Sequence, residues 1–261
     1  MKSFSKTLGV LVLLAMVPSS LSADGAGTRW QRLDQQAKEL RESGAYGRAI
    51  RVAKEALDLA ETKAGPDHPN VARSLNRLAG LYSVQGRYAK AEPLCERALA
   101  IREKALGPDH PALATSLNNL GLLYHRRGRY AEAERLYKRA LALCERVLGR
   151  GHPAVATTLN NLAGLYDGQG RYDDAEPLYR RALAIREKVF GPDHEAVATS
   201  LNNVAKLHAT KGEHDTAERQ YGRALAVWKK TLGPNHPNVA KGLNNLALLY
   251  DNQGRYAEAE P

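Results

Sequence analysis

The feature that most constrains the fold of this chain is an internal repeat of 42 residues. Glycines recur at this interval as Gly65, Gly107, Gly149, Gly191 and Gly233, and each is followed three residues later by a histidine. A fixed period of this length predicts a solenoid, in which similar units stack and bury a continuous core between them. Any role for a single residue therefore has to be weighed against its copies in the other repeats.

Each repeat contains the pattern of two amphipathic helices. In the first full unit, Val71, Leu75, Leu78 and Tyr82 follow the spacing of one apolar helical stripe, which predicts a first helix, called helix A. Gly86 stands where a helix commonly ends in a left-handed residue. A second stripe, called helix B, then comprises Ala91, Leu94, Cys95, Ala98 and Ile101. The sequence therefore predicts an all-α solenoid of helix pairs.

The period divides the chain into units. Full repeats are predicted at 65–106, 107–148, 149–190 and 191–232, with a degenerate capping repeat at 29–64 and a truncated repeat at 233–261. The helix A of the first unit is more polar, with Asp34 among several polar residues, as expected for the end of a stack. The last unit keeps the full apolar stripe but contains only the start of its helix B. This pattern indicates a chain that is cut short.

Residues 1–23 differ from the repeats. A short basic start precedes the apolar run LGVLVLLAMV, and small residues follow it. This layout predicts a secretory signal peptide with cleavage after Ser22 or Ala23, then a short linker at 24–28. An uncleaved membrane anchor is the alternative, but the apolar run is shorter than the roughly 20 residues that a spanning helix needs. We therefore expect an exported protein, periplasmic or secreted.

Export would place the two cysteines, Cys95 and Cys144, in an oxidising compartment. They lie on equivalent helices of neighbouring repeats but are offset by two helical turns, which exceeds the Cα separation of about 7 Å that a disulfide tolerates. We expect two buried free thiols.

The recurring Asp-His pairs could suggest a metal site or acid-base catalysis. One histidine per repeat cannot bring three ligands to one ion, because successive copies lie about a helix diameter apart. The alternative is that the histidine and the carboxylate cap the next helix. No residue pattern stands apart from the repeats as a catalytic site would, so the sequence predicts no enzyme activity, no metal and no cofactor.

The unit, with the consensus LNNLA.LY..QGRY.EAE.LY.RAL.IREK.LG.DHP.VA, resembles the tetratricopeptide repeats of kinesin light chains and similar proteins. The resemblance covers residues 65–261 closely and 29–64 loosely. It implies a right-handed superhelix whose A helices line a concave groove, and a scaffold that binds a peptide or protein segment there. Motor association is not implied, because the heptad-repeat segment of kinesin light chains is absent from this sequence.

Paired asparagines are the candidate binding residues. Asparagine is a poor residue for the middle of a helix, yet a pair recurs there. The pairs are Asn118 and Asn119, Asn160 and Asn161, Asn202 and Asn203, and Asn244 and Asn245, with Asn76 and Arg77 in the corresponding place of the first full repeat. The resemblance implies that the second asparagine of each pair forms a ladder that grips the backbone of an extended peptide. The alternative is that these amides tie each helix A to the preceding repeat.

Charged residues are expected on the same face. The basic ones are Arg73, Arg77, His125, Arg126, Lys206 and Lys241, against Asp167 and Asp251. A net basic groove favours an acidic partner segment. The formal net charge of +10 is spread over the helices without a basic block, so specific nucleic-acid binding is not expected.

Two rival functions stay open at this stage. One is a regulatory repeat region of a longer enzyme, and the other is electrostatic binding to any polyanion, which would weaken steeply with salt. The identity of the partner and the oligomeric state are not indicated by the sequence.

Overall fold

A computed structural model describes residues 25–259. The predicted signal peptide, residues 1–23, lies outside this range and stays a prediction. The described residues form twelve α-helices: α1 (Gly25–Glu42), α2 (Tyr46–Ala64), α3 (Pro69–Val84), α4 (Tyr88–Leu106), α5 (Ala112–Arg126), α6 (Tyr130–Leu148), α7 (Pro153–Gly168), α8 (Tyr172–Phe190), α9 (Glu195–Thr210), α10 (His214–Leu232), α11 (Pro237–Asn252) and α12 (Tyr256–Ala259).

The odd-numbered helices are the A helices and the even-numbered ones are the B helices. Each helix packs on its neighbours in sequence, and the A helices also contact each other, as α3 does with α5 and α5 with α7. The main contacts of each B helix are with the A helices before and after it. Helices that approach each other in this way lie on the inner side of a curved stack. The predicted all-α solenoid is confirmed, with the A helices on its concave side.

The predicted apolar stripe forms the core between the helices. Val71, Leu75, Leu78 and Tyr82 are buried, as are their counterparts in the next three repeats. In the last repeat the counterpart of Leu75, Leu243, is exposed. Small residues occur where the helices approach most closely. A Cβ atom added to Gly121 would lie 2.7 Å from the buried ring of Tyr137, so α5 and α6 meet at a distance that excludes a larger residue.

The periodic histidines cap the A helices. In His68, His110, His152, His194 and His236, Nδ1 accepts a hydrogen bond from the backbone N–H two residues later, at 3.1 Å. The carboxylates do not share this role, contrary to expectation. Asp193 instead contacts Lys230 at 2.6 Å, and Asp67 and Asp109 pair in the same way with basic residues near the end of helix B.

One expectation for the first unit is wrong. Residues 25–28 were expected to form a linker, but they form the first turn of α1, because no breaker separates them from the rest of the helix. Cys95 and Cys144 are both free and buried. Within residues 25–259, every helix is too short or too polar to cross a bilayer.

Candidate functional site: the groove of the A helices

The candidate site is the inner face of the A helices, called the groove below. It carries the ladder asparagines, together with Arg73, Arg77 and Arg126 in the N-terminal half and Lys206 and Lys241 in the C-terminal half. The asparagine pairs lie in the middle of α5, α7, α9 and α11, as predicted. Because consecutive A helices contact each other, equivalent side chains of neighbouring repeats come within bonding distance.

The asparagine amides bond to each other across the repeats. Asn161 Nδ2 donates to Asn118 Oδ1 at 3.2 Å, and Asn203 Nδ2 donates to Asn160 Oδ1 at 2.8 Å. Asn245 Nδ2 donates to Asn202 Oδ1, also at 2.8 Å. The second asparagine of one pair therefore contacts the first asparagine of the preceding pair, and each such contact is called a rung.

The first asparagines are also held from the other side in the N-terminal half. Asn118 Nδ2 donates to Thr158 Oγ1 at 2.8 Å, and Asn76 Nδ2 donates to Ser116 Oγ at 3.1 Å. Asn161 and Asn203 are half-buried, and no hydrogen bond among the described residues uses their Oδ1 atoms. The geometry is thus compatible with a tie between repeats and leaves one amide oxygen per rung for a guest.

One rung is missing. The equivalent contact in the N-terminal half would join Asn119 to Asn76. Asn76 is 9% exposed, and its Oδ1 atom is buried with no hydrogen-bond partner among the described residues. The half-buried Asn119 faces the same space, a cavity of about 330 Å³ between α3 and α5.

Two of the predicted basic residues form ion pairs with the first unit. Arg77 binds Asp34 through two nitrogens, and Arg73 approaches the same carboxylate at 2.9 Å. Asp34 is only 2% exposed, so α1 and α3 are joined by a buried carboxylate between two guanidinium groups. The polar residues of the first unit thus include a specific contact, which the capping interpretation did not anticipate.

The remaining charges are unevenly distributed along the groove. Lys206 lies 3.0 Å from Asp167, so these two predicted groove residues neutralise each other. Lys241 is exposed. Arg126 donates to Ser83 Oγ at 3.0 Å. Partial burial of the His125 ring, together with the nearby charge of Arg126, holds the pKa of His125 below its ordinary value. The basic excess is therefore concentrated in the N-terminal half.

Sequence reasoning missed two arginines of this half. Arg41, at the end of α1, and Arg102, on α4, line the same cavity as Arg73, Arg77 and Arg126. The signal was present in the repeat, because the positions equivalent to Arg102 hold Ala60, Cys144 and Trp228, with a second arginine at Arg186. A charge at a position where most copies are apolar or small marks a local departure from the repeat.

Among the residues that the structure describes, no three His, Cys, Asp or Glu side chains are grouped closely enough to hold a metal ion. The groove offers guanidinium groups, amides and hydroxyls, which suit the recognition of carboxylates and peptide groups.

A scan against family models matches the tetratricopeptide repeat over residues 73–146, 119–188, 168–227 and 203–261, and a second tetratricopeptide repeat model matches residues 37–70. A comparison with curated proteins found no match. Among solved structures, BtubC (BKLC) from P. vanneervenii is 27% identical, with a TM-score of 0.64 over 84% of this chain and 86% of that chain.

Two other solved structures share the fold. A putative kinesin light chain from Podosopora anserina is 23% identical, with a TM-score of 0.61 over 78% of this chain and 97% of that chain. A Rap protein complexed with Competence and Sporulation Factor is 16% identical, with a TM-score of 0.67 over 88% of this chain and 72% of that chain. The family models cover most of the sequence, and the 42-residue units are similar to those of kinesin light chain-like proteins. The chain belongs to the tetratricopeptide repeat family, whose members generally serve as protein-interaction scaffolds.

Proposed function

We propose that this chain is a non-catalytic scaffold that binds an extended, acidic segment of a partner protein in the groove of its A helices. The observation that carries the proposal is the basic excess in the N-terminal half of the groove. Arg41, Arg73, Arg77, Arg102 and Arg126 line one cavity there, and Asp34 is the carboxylate that pairs with two of them. An acidic guest supplies the missing negative charge.

The asparagine rungs support an extended guest. Each rung uses the Nδ2 group of the second asparagine, as in Asn161 and Asn203, and leaves its Oδ1 atom as an acceptor. Successive acceptors on successive helices suit the backbone N–H groups of a peptide that runs along the groove. In this proposal the amides act in both ways: they tie the repeats together and accept bonds from the guest.

A protein with a similar fold binds another factor. The Rap protein of the comparison was solved as a complex with Competence and Sporulation Factor, on a scaffold that aligns with 88% of this chain. That similarity concerns the fold, and the acidic preference proposed here rests on the arginines of this sequence alone. Export of the protein, proposed from the basic start and the apolar run of residues 1–23, would place the partner outside the cytoplasm.

The proposal is tested by selecting peptides from a random library against the chain and titrating the best binder by calorimetry. We expect enrichment of Asp and Glu, and binding about ten-fold weaker or more when these residues are changed to Asn and Gln. Raising the salt concentration should weaken the binding of the acidic peptide and leave the binding of its Asn and Gln version nearly unchanged. A library without acidic enrichment, or equal competition by any DNA oligonucleotide, would contradict the proposal.

A matched pair of variants locates the charge effect. Arg126→Gln removes a guanidinium group that faces no carboxylate among the described residues, whereas Lys206→Gln removes an ammonium group already paired with Asp167. We expect Arg126→Gln to weaken the binding of the acidic peptide more than Lys206→Gln does. Equal effects would place the guest elsewhere than the N-terminal half.

A further inference from the structure

The cavity between α3 and α5 holds an unusual concentration of like charge. Five guanidinium groups line a volume of about 330 Å³, and Asp34 is occupied by Arg73 and Arg77. Arg102 is 8% exposed and donates from Nη1 to the backbone oxygen of Ala112 at 2.9 Å and to Ser116 Oγ at 2.8 Å. A buried guanidinium group that bonds only neutral acceptors is an uncompensated charge.

The fold itself does not require these charges, as the repeat makes clear. One repeat further on, the five equivalent positions hold Ser83, Thr115, Asn119, Cys144 and Gly168, none of which is basic. Two repeats further on, they hold His125, Thr157, Asn161, Arg186 and Thr210. The equivalent contact between repeats therefore forms twice without five arginines. Packing of the repeats does not explain the arginine cluster.

Arg186 gives the closest internal comparison. It is 9% exposed and donates to Ser200 Oγ at 2.6 Å and to the backbone oxygen of Ala196 at 3.5 Å, as Arg102 does with its own partners. The rung beside it is closed, since Asn203 donates to Asn160. Arg102 instead faces the missing rung, where Asn76 Oδ1 has no partner among residues 25–259. The joint around Arg102 thus combines excess positive charge with one open acceptor.

We propose that this cavity is a binding site for a phosphate group, held by Arg102 and Arg126 with help from Arg73. The inference deepens the proposed function, because the site lies in the same groove and would anchor a phosphorylated guest. Arginine forks match the oxygens of phosphate, and a phosphate monoester carries close to two negative charges at neutral pH. A single carboxylate would leave more of the guanidinium charge uncompensated. Inorganic hydrogen phosphate also carries one P–O–H donor from which Asn76 Oδ1 can accept a hydrogen bond, whereas the dianion of a phosphate monoester has no such donor.

The cavity charge gives a second reason to expect an anion. Burial and the nearby Arg73 hold the pKa of Arg102 below its ordinary value, because both disfavour the charged guanidinium group. A bound anion would stabilise that charge, and a ligand that binds the folded chain raises its stability. Phosphate should therefore raise the melting temperature of the protein beyond the effect of ionic strength alone.

The test uses calorimetric titration of inorganic phosphate into the full chain, with sodium chloride holding the ionic strength constant. We expect saturable binding at one site, weakened about ten-fold or more by Arg102→Met. Arg186→Met is the control, because it removes the same internal bonds two repeats away, and it should leave phosphate binding unchanged. If Arg102→Met does not fold, the exposed Arg126→Gln must show the weakening.

Two outcomes would overturn the site: a lack of saturable binding, and equal weakening of phosphate binding by Arg186→Met. A peptide with phosphoserine, compared with its unphosphorylated form and with free phosphate, identifies the source. Tighter binding of the phosphopeptide than of either assigns the site to a phosphorylated guest, and tightest binding of free phosphate assigns it to a small phosphate ligand.

The site and the proposed function can fail separately. Acidic peptides that bind while phosphate neither binds nor competes would overturn the phosphate site and leave the scaffold function intact. Phosphate binding that depends on Arg102, without binding of any acidic peptide, would support the phosphate site and contradict the proposed scaffold function.

Discussion

Removal of a single rung tests whether the asparagine amides stabilise the contact between neighbouring repeats. Asn203→Ala deletes the Nδ2 donor that contacts Asn160 Oδ1 at 2.8 Å, between α9 and α7. Loss of one hydrogen bond that leaves a partly buried acceptor unpaired costs about 1 to 2 kcal/mol. Alanine recovers about 0.5 kcal/mol of this, because asparagine is the poorer helix former. We therefore expect the free energy of unfolding to fall by about 0.5 to 1.5 kcal/mol.

Asn119→Ala is the matched control. Asn119 occupies the same place in the repeat but makes no rung, so the substitution removes no bond among the described residues and adds helix propensity. Its stability should stay unchanged or rise by about 0.5 kcal/mol. The measurement is thermal and urea unfolding of both variants beside the parent protein, where 1 kcal/mol corresponds to about 2 to 4 °C in a chain of this size.

Only Asn203→Ala should lower the free energy of unfolding, and this difference between the two variants is the test. Equal destabilisation by both would mean that the asparagines stabilise the helices without the rungs. No destabilisation by Asn203→Ala would mean that the rung contributes nothing to the stack.

Four further predictions follow from the same contacts. Burial raises the pKa of the Cys95 thiol to about 12 and also raises that of Cys144, so thiol titration should count two thiols after denaturation and almost none in the native protein. Burial lowers the pKa of His68, whose neutral Nδ1 caps α3, so its contribution to stability is full above pH 6.5 and declines as the pH falls below it. A His68→Asn variant keeps a cap but should lose this part of the pH dependence of the melting temperature. In the chain of 261 residues, α11 should exchange its amide hydrogens faster than α5 and α7, because Leu243 and Leu248 are 43% and 59% exposed; equal protection would contradict this. Mass spectrometry of protein from the native host should find a mature start at residue 23 or 24, and intact residues 1–22 would contradict the signal peptide.

The fold was predictable because the same pattern of apolar residues and helix-ending glycines recurs in each repeat. The stripe of Val71, Leu75, Leu78 and Tyr82 and the glycine after it define helix A in every unit, and stacking then follows from the apolar faces. The capping histidines were also predictable, since each precedes the first turn of a helix. The paired carboxylates were not, because a charged side chain at a loop can reach either the next helix or a lysine on the previous one.

The site was predictable in its position but not in its contacts. The period places the asparagines on the A helices, yet only the separation of neighbouring helices decides that Asn161 bonds to Asn118. The ion pairs of Asp34 join residues 39 and 43 positions apart in a degenerate unit, where the period gives little guidance. Arg102 lies on a B helix, where no groove residue was expected. A comparison with Cys144 and the other equivalent positions would have identified it as a departure from the repeat.

The central claim is that a guest lies along the A helices, in the basic half of the groove. The most direct test is photo-cross-linking with an acidic peptide, selected against this protein, that carries a benzoyl-phenylalanine at each position in turn. The adducts are mapped by mass spectrometry. We predict cross-links to α3, α5 and α7, on the residues around Arg73, Asn119 and Arg126, and their loss when the peptide acids are amidated. Cross-links that fall mainly on the B helices α4, α6 and α8 would contradict the account.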